Sequence, residues 1–431
     1  MEKNYIGAQK IIEKKKQFIM PCLGHFYREP RQFVRGDMQY LFDNEGKKYL
    51  DMYAGVSVIN CGHCNKAITE KICEQVQTLQ HVCNIYLTEN FVNLAEKLAA
   101  VTPGNLKKSF FCSTGSEATE GALLTAAVYT GNNEIIALRG GLHGRTKLGM
   151  SITGINMWRT DKNPVGGIHF APNPYCYRCP LGKKYPECDL SCADMTEDII
   201  KTATSGRPGA FIAEPIQGNA GIVTPPAGYF KRIKEILAKY NTLLIIDEVQ
   251  TGFGRTGKMF AIENYGVTPD IMCMAKALGN GAPISAFIAS EEIADRYTSP
   301  GASTLGGNPV SSAAGLAVLN YIEEHRLCDN AKERGEQLKG GLLALQKKYP
   351  VIGDVRGIGL MLGAEFIKSN GAPDPELLDD LLEEMKDKGF IVGKNGLARN
   401  VMAFQPPLVI SAQNVDDTLN MLDMLLGKKA K

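Results

Sequence analysis

The sequence has one tryptophan and six histidines in 431 residues, and its 48 basic side chains nearly cancel its 46 acidic ones. A net charge of +2 supplies no basic field for nucleic acid and no attraction to an acidic membrane surface. No apolar run approaches the ~18 residues that a membrane-crossing helix needs. The opening "MEKNYIGAQKIIEKKKQFIM" is lysine-rich but carries Glu2 and Glu13 and has no apolar centre, so it does not read as a targeting peptide. The expected setting is cytoplasmic, with small molecules rather than nucleic acid or membrane as partners.

Cysteine is not scarce. In a reducing compartment the twelve cysteines are expected as thiols or ligands rather than a disulfide framework. Eight are scattered, mostly in apolar contexts where cysteine acts as a small hydrophobe. The other four, Cys176, Cys179, Cys188 and Cys192, cluster in "CYRCPLGKKYPECDLSC". A CxxC pair followed by a CxxxC pair resembles a small zinc knuckle, although no histidine accompanies it. A Pro- and Gly-containing loop of reduced thiols is the alternative reading, and no metal is assigned to the candidate site.

At 44% hydrophobic, with 45 glycines, the chain is globular in composition and long enough for two or three domains. "EIIALRG", "AFIAEPI", "TLLIIDE" and "DIMCMA" are short, continuous apolar runs, as in parallel strands covered on both faces. Helical patterns such as "AGYFKRIKEILAKYN" alternate with them. The spacing predicts an α/β domain with a mostly parallel sheet over residues 71–325. Residues 326–431 predict a smaller α+β domain with helices in "PDPELLDDLLEEMKDKG" and "NVDDTLNMLDMLLGKK". Residues 1–70, with a hairpin around "NEG", are expected to pack with it.

Ligands of open α/β sheets collect where the strands end. "FFCSTGSEATEG" predicts a strand, a polar turn and a helix capped by Thr114 with Glu117, placing Gly115, Ser116 and Thr119 where a phosphate binds. "TLLIIDEVQTGFGRTG" ends an apolar strand on Asp247, a carboxylate that needs a partner there. Lys276 follows "IMCMA" about one helix-and-strand unit later, which places it at the same sheet edge. "STLGGNP" forms a further polar, tightly turned loop. A phosphate cradle, an isolated acid and a desolvated lysine together fit pyridoxal 5'-phosphate (PLP), the lysine bonding its aldehyde and the acid holding its ring nitrogen protonated.

With "HGRT", "AEPIQG", "MAKALGNG" and "DVRGIGLMLG", these segments resemble the class III PLP-dependent aminotransferases of fold type I over nearly the whole chain. Within that class the look is nearest to the alanine–glyoxylate, 4-aminobutyrate and ω-amino acid aminotransferases. The resemblance implies a large PLP domain, a smaller α+β domain and a homodimer, with a tetramer as the larger alternative. Lys276 and Asp247 would be catalytic. Gly115 and Ser116 would bind phosphate with Thr304 from the partner subunit; Val249 would pack on the ring and Gln250 contact its hydroxyl. Val56, Arg145, Glu214 and the position of Ala403 would form the substrate pocket.

Two departures stand out. Leu142 precedes His143 where most relatives have a stacking Phe or Tyr, so ring packing would be aliphatic or shared with His143. Ala403 stands where many relatives carry an arginine that forks onto the carboxylate beside the reacting carbon. Either Arg399 substitutes for it, or the donor lacks a carboxylate there. The expected activity is therefore transfer of an amino group from an ω- or β-amino donor to a 2-oxo acid. Donors would be β-alanine, a 4-aminobutyrate-like amine or a β-aminoacyl thioester; acceptors would be pyruvate, glyoxylate or 2-oxoglutarate. A class III racemase or lyase is the alternative.

Overall fold

The computed structural model describes residues 5–429. Its centre is a seven-stranded sheet in the order Leu106–Cys112, Ser285–Ser290, Ile271–Met274, Leu243–Asp247, Ala210–Ala213, Ile135–Leu138, Ile168–Ala171. Four of these are the apolar runs singled out from the sequence, and every residue in them is buried. The reason is visible in the packing. Leu244 and Ile246 join Phe230 and Ile233 in one core cluster, while Leu243 and Ile245 join Ala118 and Ala122 in another. Alternate side chains thus enter different cores, and neither face admits a polar residue. Helix Tyr229–Ala238 and helix Gly115–Thr130 supply those facing side chains.

One strand departs from the parallel expectation. Ser285–Ser290 runs antiparallel to both its neighbours, Ile271–Met274 and Leu106–Cys112. Residues 275–284, which precede it, are too few for the dozen-residue crossover that a parallel partner requires. The chain therefore turns back on itself, through a short 3₁₀ turn, Lys276–Gly279, that begins with Lys276.

Two smaller sheets accompany the central one, and the chain ends meet in the first of them. Tyr40–Asp43 and Lys48–Asp51 form the hairpin around "NEG", where Asp43 Oδ1 accepts hydrogen bonds from the amides of Glu45 and Lys47 at 3.0 and 2.9 Å. Phe33–Asp37 extends it on one side, and Phe390–Ile391 adds in parallel on the other. The second sheet joins Ile352–Ile358, Met361–Phe366, Val401–Phe404 and Gly393–Asn395, all antiparallel. Two C-terminal helices, Pro375–Asp387 and Ala412–Lys429, lie where the sequence places them, and a third and longer one, Leu327–Lys348, precedes them. After Lys48–Asp51 the chain makes a turn in which Ala54, Gly55, Val56 and Ser57 all have φ between 48° and 68°. Three of the four are not glycine, a strained arrangement for L-residues.

Candidate active site

A cavity of about 310 Å³ opens at the ends of the central strands, lined by Ser116, Leu142, His143, Asp247, Gln250 and Lys276 among others. Asp247 and Lys276 reach it from adjacent parallel strands. In that pairing Asp247 lies opposite Cys273, so the neighbouring strand ends on the same edge just before Lys276. Lys276 itself has φ 46°, in the left-handed region. The turn is braced by Asn280, whose side chain accepts from Cys61 N at 2.9 Å and donates to Gly62 O at 3.0 Å. Burial pushes the Lys276 amine below its ordinary pKa, against the opposing charges of Asp247 and Glu214.

Asp247 is buried and satisfied at both oxygens. Oδ1 accepts from Val249 N at 3.0 Å, and Oδ2 lies 2.8 Å from His143 Nδ1. A carboxylate only accepts, so the imidazole proton on that side belongs to Nδ1. Burial alone would depress His143; its bond to Asp247, with the charges of Asp247 and Glu214, outweighs that and raises its pKa. Its Nε2 is buried without a partner among the described residues. Glu214 accepts from Leu142 N and Gly218 N, both at 2.9 Å. Burial raises its pKa to about 7, which His143 opposes and Asp247 reinforces.

The opposite end of the cavity is the N-terminus of helix Gly115–Thr130. Thr114 and Glu117 form the expected capping box. Gly115 and Ser116 occupy the first two helical positions, whose amides have no intrahelical acceptor. Both residues line the cavity. Their amides and the helix dipole suit a phosphate. A side chain at Gly115 would put its Cβ 3.1 Å from Val249 Cγ1, and one at Gly144 would lie 2.6 Å from Ser116 Oγ. Both glycines keep this floor open.

These residues fit PLP: anion donors at one end, a buried carboxylate for the ring nitrogen, a lysine within the same cavity, and Val249 and Leu142 beside the space between. Gln250 lines it too, and its Nε2 donates to Gln405 Oε1 at 3.1 Å, which also accepts from Ser57 Oγ at 2.8 Å. Gln405, Ser57 and Asn219, another lining residue, were not singled out from the sequence. They come from distant segments with no shared spacing; Asn219 alone had a signal, directly following "AEPIQG".

Four other expected site residues stand outside this lining. Arg145 is exposed, its amide donating to Ser116 Oγ at 3.1 Å. Thr304 is also exposed. Val56 is half-buried and packs against an apolar cluster of Tyr53, Ile216, Ile222, Met361 and Ala403. Ala403 is fully buried there. It pairs with Gly363 on one side and Gly393 on the other, and the space beside those glycines is filled by Ile222 and the Tyr53 ring. Arg399 is half-buried with φ 55°, its guanidinium carbon 5.7 Å from the centre of the Phe26 ring.

Known proteins give this geometry its context. Residues 27–426 match the family described as aminotransferase class-III. The chain is 41% identical over 429 residues to alanine–glyoxylate aminotransferase 2 homolog 2, mitochondrial, of Arabidopsis thaliana, covering 98% of this chain and 88% of that one. It is 38% identical over 434 residues to the leucine/methionine racemase of Thermococcus litoralis, covering 97% and 95%. An amine transaminase from an uncultivated Pseudomonas species, solved in its PLP-bound form, superposes with a TM-score of 0.89 at 29% identity, over 96% of this chain and 98% of that one. This chain belongs to the class III aminotransferases, PLP-dependent enzymes of fold type I.

Proposed function

We propose that the enzyme moves an amino group from an ω- or β-amino donor to a 2-oxo acid, pyruvate, glyoxylate or 2-oxoglutarate, and that Lys276 and Asp247 carry the chemistry. Bound PLP supplies the aldehyde and the electron-withdrawing ring. Lys276, its amine depressed by burial, is the base available to take a proton from the reacting carbon and return it. Asp247, held by Val249 N and His143 Nδ1, keeps a proton on the ring nitrogen. The N-terminus of helix Gly115–Thr130 anchors the phosphate. Gln250 would contact the ring hydroxyl, and Glu214 would stand at the substrate side, with Arg145 reaching it from outside the cavity lining.

The observation that carries the donor class is the setting of Ala403. Around it are Tyr53, Ile216, Ile222 and Met361, all apolar in body, where an arginine fork would otherwise meet a carboxylate. Seating a carboxylate there without a cation would cost several kcal/mol. β-Alanine, 4-aminobutyrate and a β-amine with its acid masked as a thioester avoid that cost. A homodimer is part of the same reading. Leu87 is 100% exposed and Leu305, beside Thr304, is 56% exposed, with Ile85 and Tyr86 also outward. Cys83 Sγ lies 3.8 Å from Ser303 O, so the two stretches that carry these exposed apolar side chains touch.

The racemase relative favours a second reading, racemisation of an α-amino acid. One experiment separates them. The PLP-loaded enzyme is mixed with each amine donor and no acceptor, and its visible spectrum and the donor's chirality are followed. Stoichiometric conversion to the pyridoxamine form, fastest with β-alanine or 4-aminobutyrate, supports the proposal. Loss of optical activity without that conversion supports the racemase, and fastest conversion by alanine or glutamate overturns the donor class.

A further inference from the structure

The cysteine-rich segment takes no part in the site described above, yet its fold is unusual. Residues 172–190 contain neither helix nor strand, longer than compact domains usually tolerate without a special reason. The segment is built from successive turns, with Gly182 N donating to Cys179 O at 3.0 Å, Cys188 N to Lys184 O at 2.8 Å and Ser191 N to Cys188 O at 3.1 Å. These turns bring Cys176, Cys179, Cys188 and Cys192 onto the wall of one small cavity. Cys179 and Cys188 lie close enough to both Cys176 and Cys192 to influence the charge on their sulfurs. All four thiols are free.

We infer that Cys176, Cys179, Cys188 and Cys192 form a structural zinc site of the four-thiolate type. The spacing of both pairs fits tetrahedral zinc, and a loop without a core of its own gains most from such a staple. As thiols, the four are not yet gathered at bonding distance around one point; among the described residues no group of three or more His, Cys, Asp or Glu stands ready to hold an ion. Zinc would have to draw the four sulfurs inward until each lay about 2.3 Å from it. Four Cys–SH groups and one Zn²⁺ give a dianionic centre and release four protons. Lys183 lines the same cavity, its Nζ donating to Ser191 Oγ at 2.9 Å, and supplies compensating charge. Cys192 sits in the first turn of helix Ser191–Ala203, whose dipole favours negative charge there, against the burial that raises the free thiol.

The site would fasten the loop that carries Tyr175 and Arg178. Both bind Glu365 on strand Met361–Phe366, so the staple would hold the central sheet's margin against the C-terminal sheet. The test is elemental analysis of PLP-loaded enzyme purified under reducing conditions without added metal. About one zinc per chain is expected, released when a mercurial titrates the thiols and detected with a chromogenic chelator. Cys188→Ser should lose the zinc and lower the thermal midpoint by about 5 °C or more, whereas Cys64→Ser, an exposed thiol elsewhere, should change neither. If Cys188→Ser does not fold, cobalt exchanged into the wild type decides: the visible bands of tetrahedral cobalt thiolate support the site. Iron with acid-labile sulfide, disulfides within the loop, or four loop thiols that react freely in the presence of added zinc would each overturn it.

Discussion

His143 Nδ1 and Asp247 Oδ2 lie 2.8 Å apart, both side chains buried, in the lining of the candidate cavity. Asp247 is thus held between the His143 imidazole and the Val249 amide, and on the proposed reading its carboxylate would meet the ring nitrogen of bound PLP. Replacing it with asparagine keeps the shape and the acceptor for Val249 N but removes the charge. Turnover of Asp247→Asn is expected to fall at least about 100-fold, the scale of losing one preorganised electrostatic contact. Its thermal midpoint should stay within a few degrees of wild type. Near wild-type turnover would make Asp247 a structural residue.

Lys276 is expected to be the one lysine bonded to cofactor. Borohydride reduction of the yellow enzyme, followed by peptide mapping, should place the label on the peptide holding "MAKALGNG". Lys276→Ala should lose all measurable turnover while still binding PLP at the helix N-terminus. Label on a different lysine would end this assignment.

Much of this was readable in the chain. The strand Leu243–Asp247 is apolar at four positions because both its faces meet a core, so its single polar residue, at the end, marks the site. The capping residues Thr114 and Glu117 are local in sequence and were legible for that reason. Less local relationships were not. The antiparallel turn of Ser285–Ser290 depends on how far residues 275–284 can reach, and the network of Ser57, Gln250 and Gln405 joins three segments that meet only in the fold. The substitution at Ala403 was visible, but its closure by Ile222 and Tyr53 through two facing glycines was not.

Glu214 gives a pH signature in the cofactor-free chain. Burial raises its pKa to about 7, above the roughly 4.3 of an unfolded glutamate. The unfolded state thus loses its proton first as pH rises. Stability linked to Glu214 is fully present below about pH 4.3 and is lost as pH climbs through 7, by up to roughly 4 kcal/mol. Glu214→Gln has no such loss. Its stability relative to wild type, from denaturant unfolding, should therefore improve between pH 5 and pH 8. A constant difference across that range would show that Glu214 stays ionised in the folded chain.

Thr304 tests the shared site. It is exposed and outside its own chain's cavity lining, as expected of a residue that serves a partner. Thr304→Ala should be strongly impaired, and mixing it with Lys276→Ala chains should restore activity. In a mixed dimer one site would have its own Lys276 and the partner's intact Thr304. Random pairing makes half the dimers mixed, so about a quarter of wild-type activity should return. If Thr304 served its own chain, neither site of a mixed dimer would be whole and nothing would be regained.

The donor class rests on Ala403, and the decisive variant puts the arginine back. In Ala403→Arg the new side chain must displace Ile222 or the Tyr53 ring, so its thermal midpoint has to be measured beside its kinetics. Where the fold survives, kcat/KM for alanine and glutamate should rise relative to β-alanine and 4-aminobutyrate, by about tenfold or more for a charge-assisted fork. The competing account is that Arg399 already performs this task. It lies close enough to Tyr53 for its charge to act on the phenol, on the border of the Ala403 cluster. Arg399→Ala separates the two. If Arg399 grips the donor carboxylate, that variant loses α-amino donors selectively and Ala403→Arg leaves the ranking unchanged. If the pocket simply lacks a cation there, Arg399→Ala preserves the ranking and Ala403→Arg reverses it.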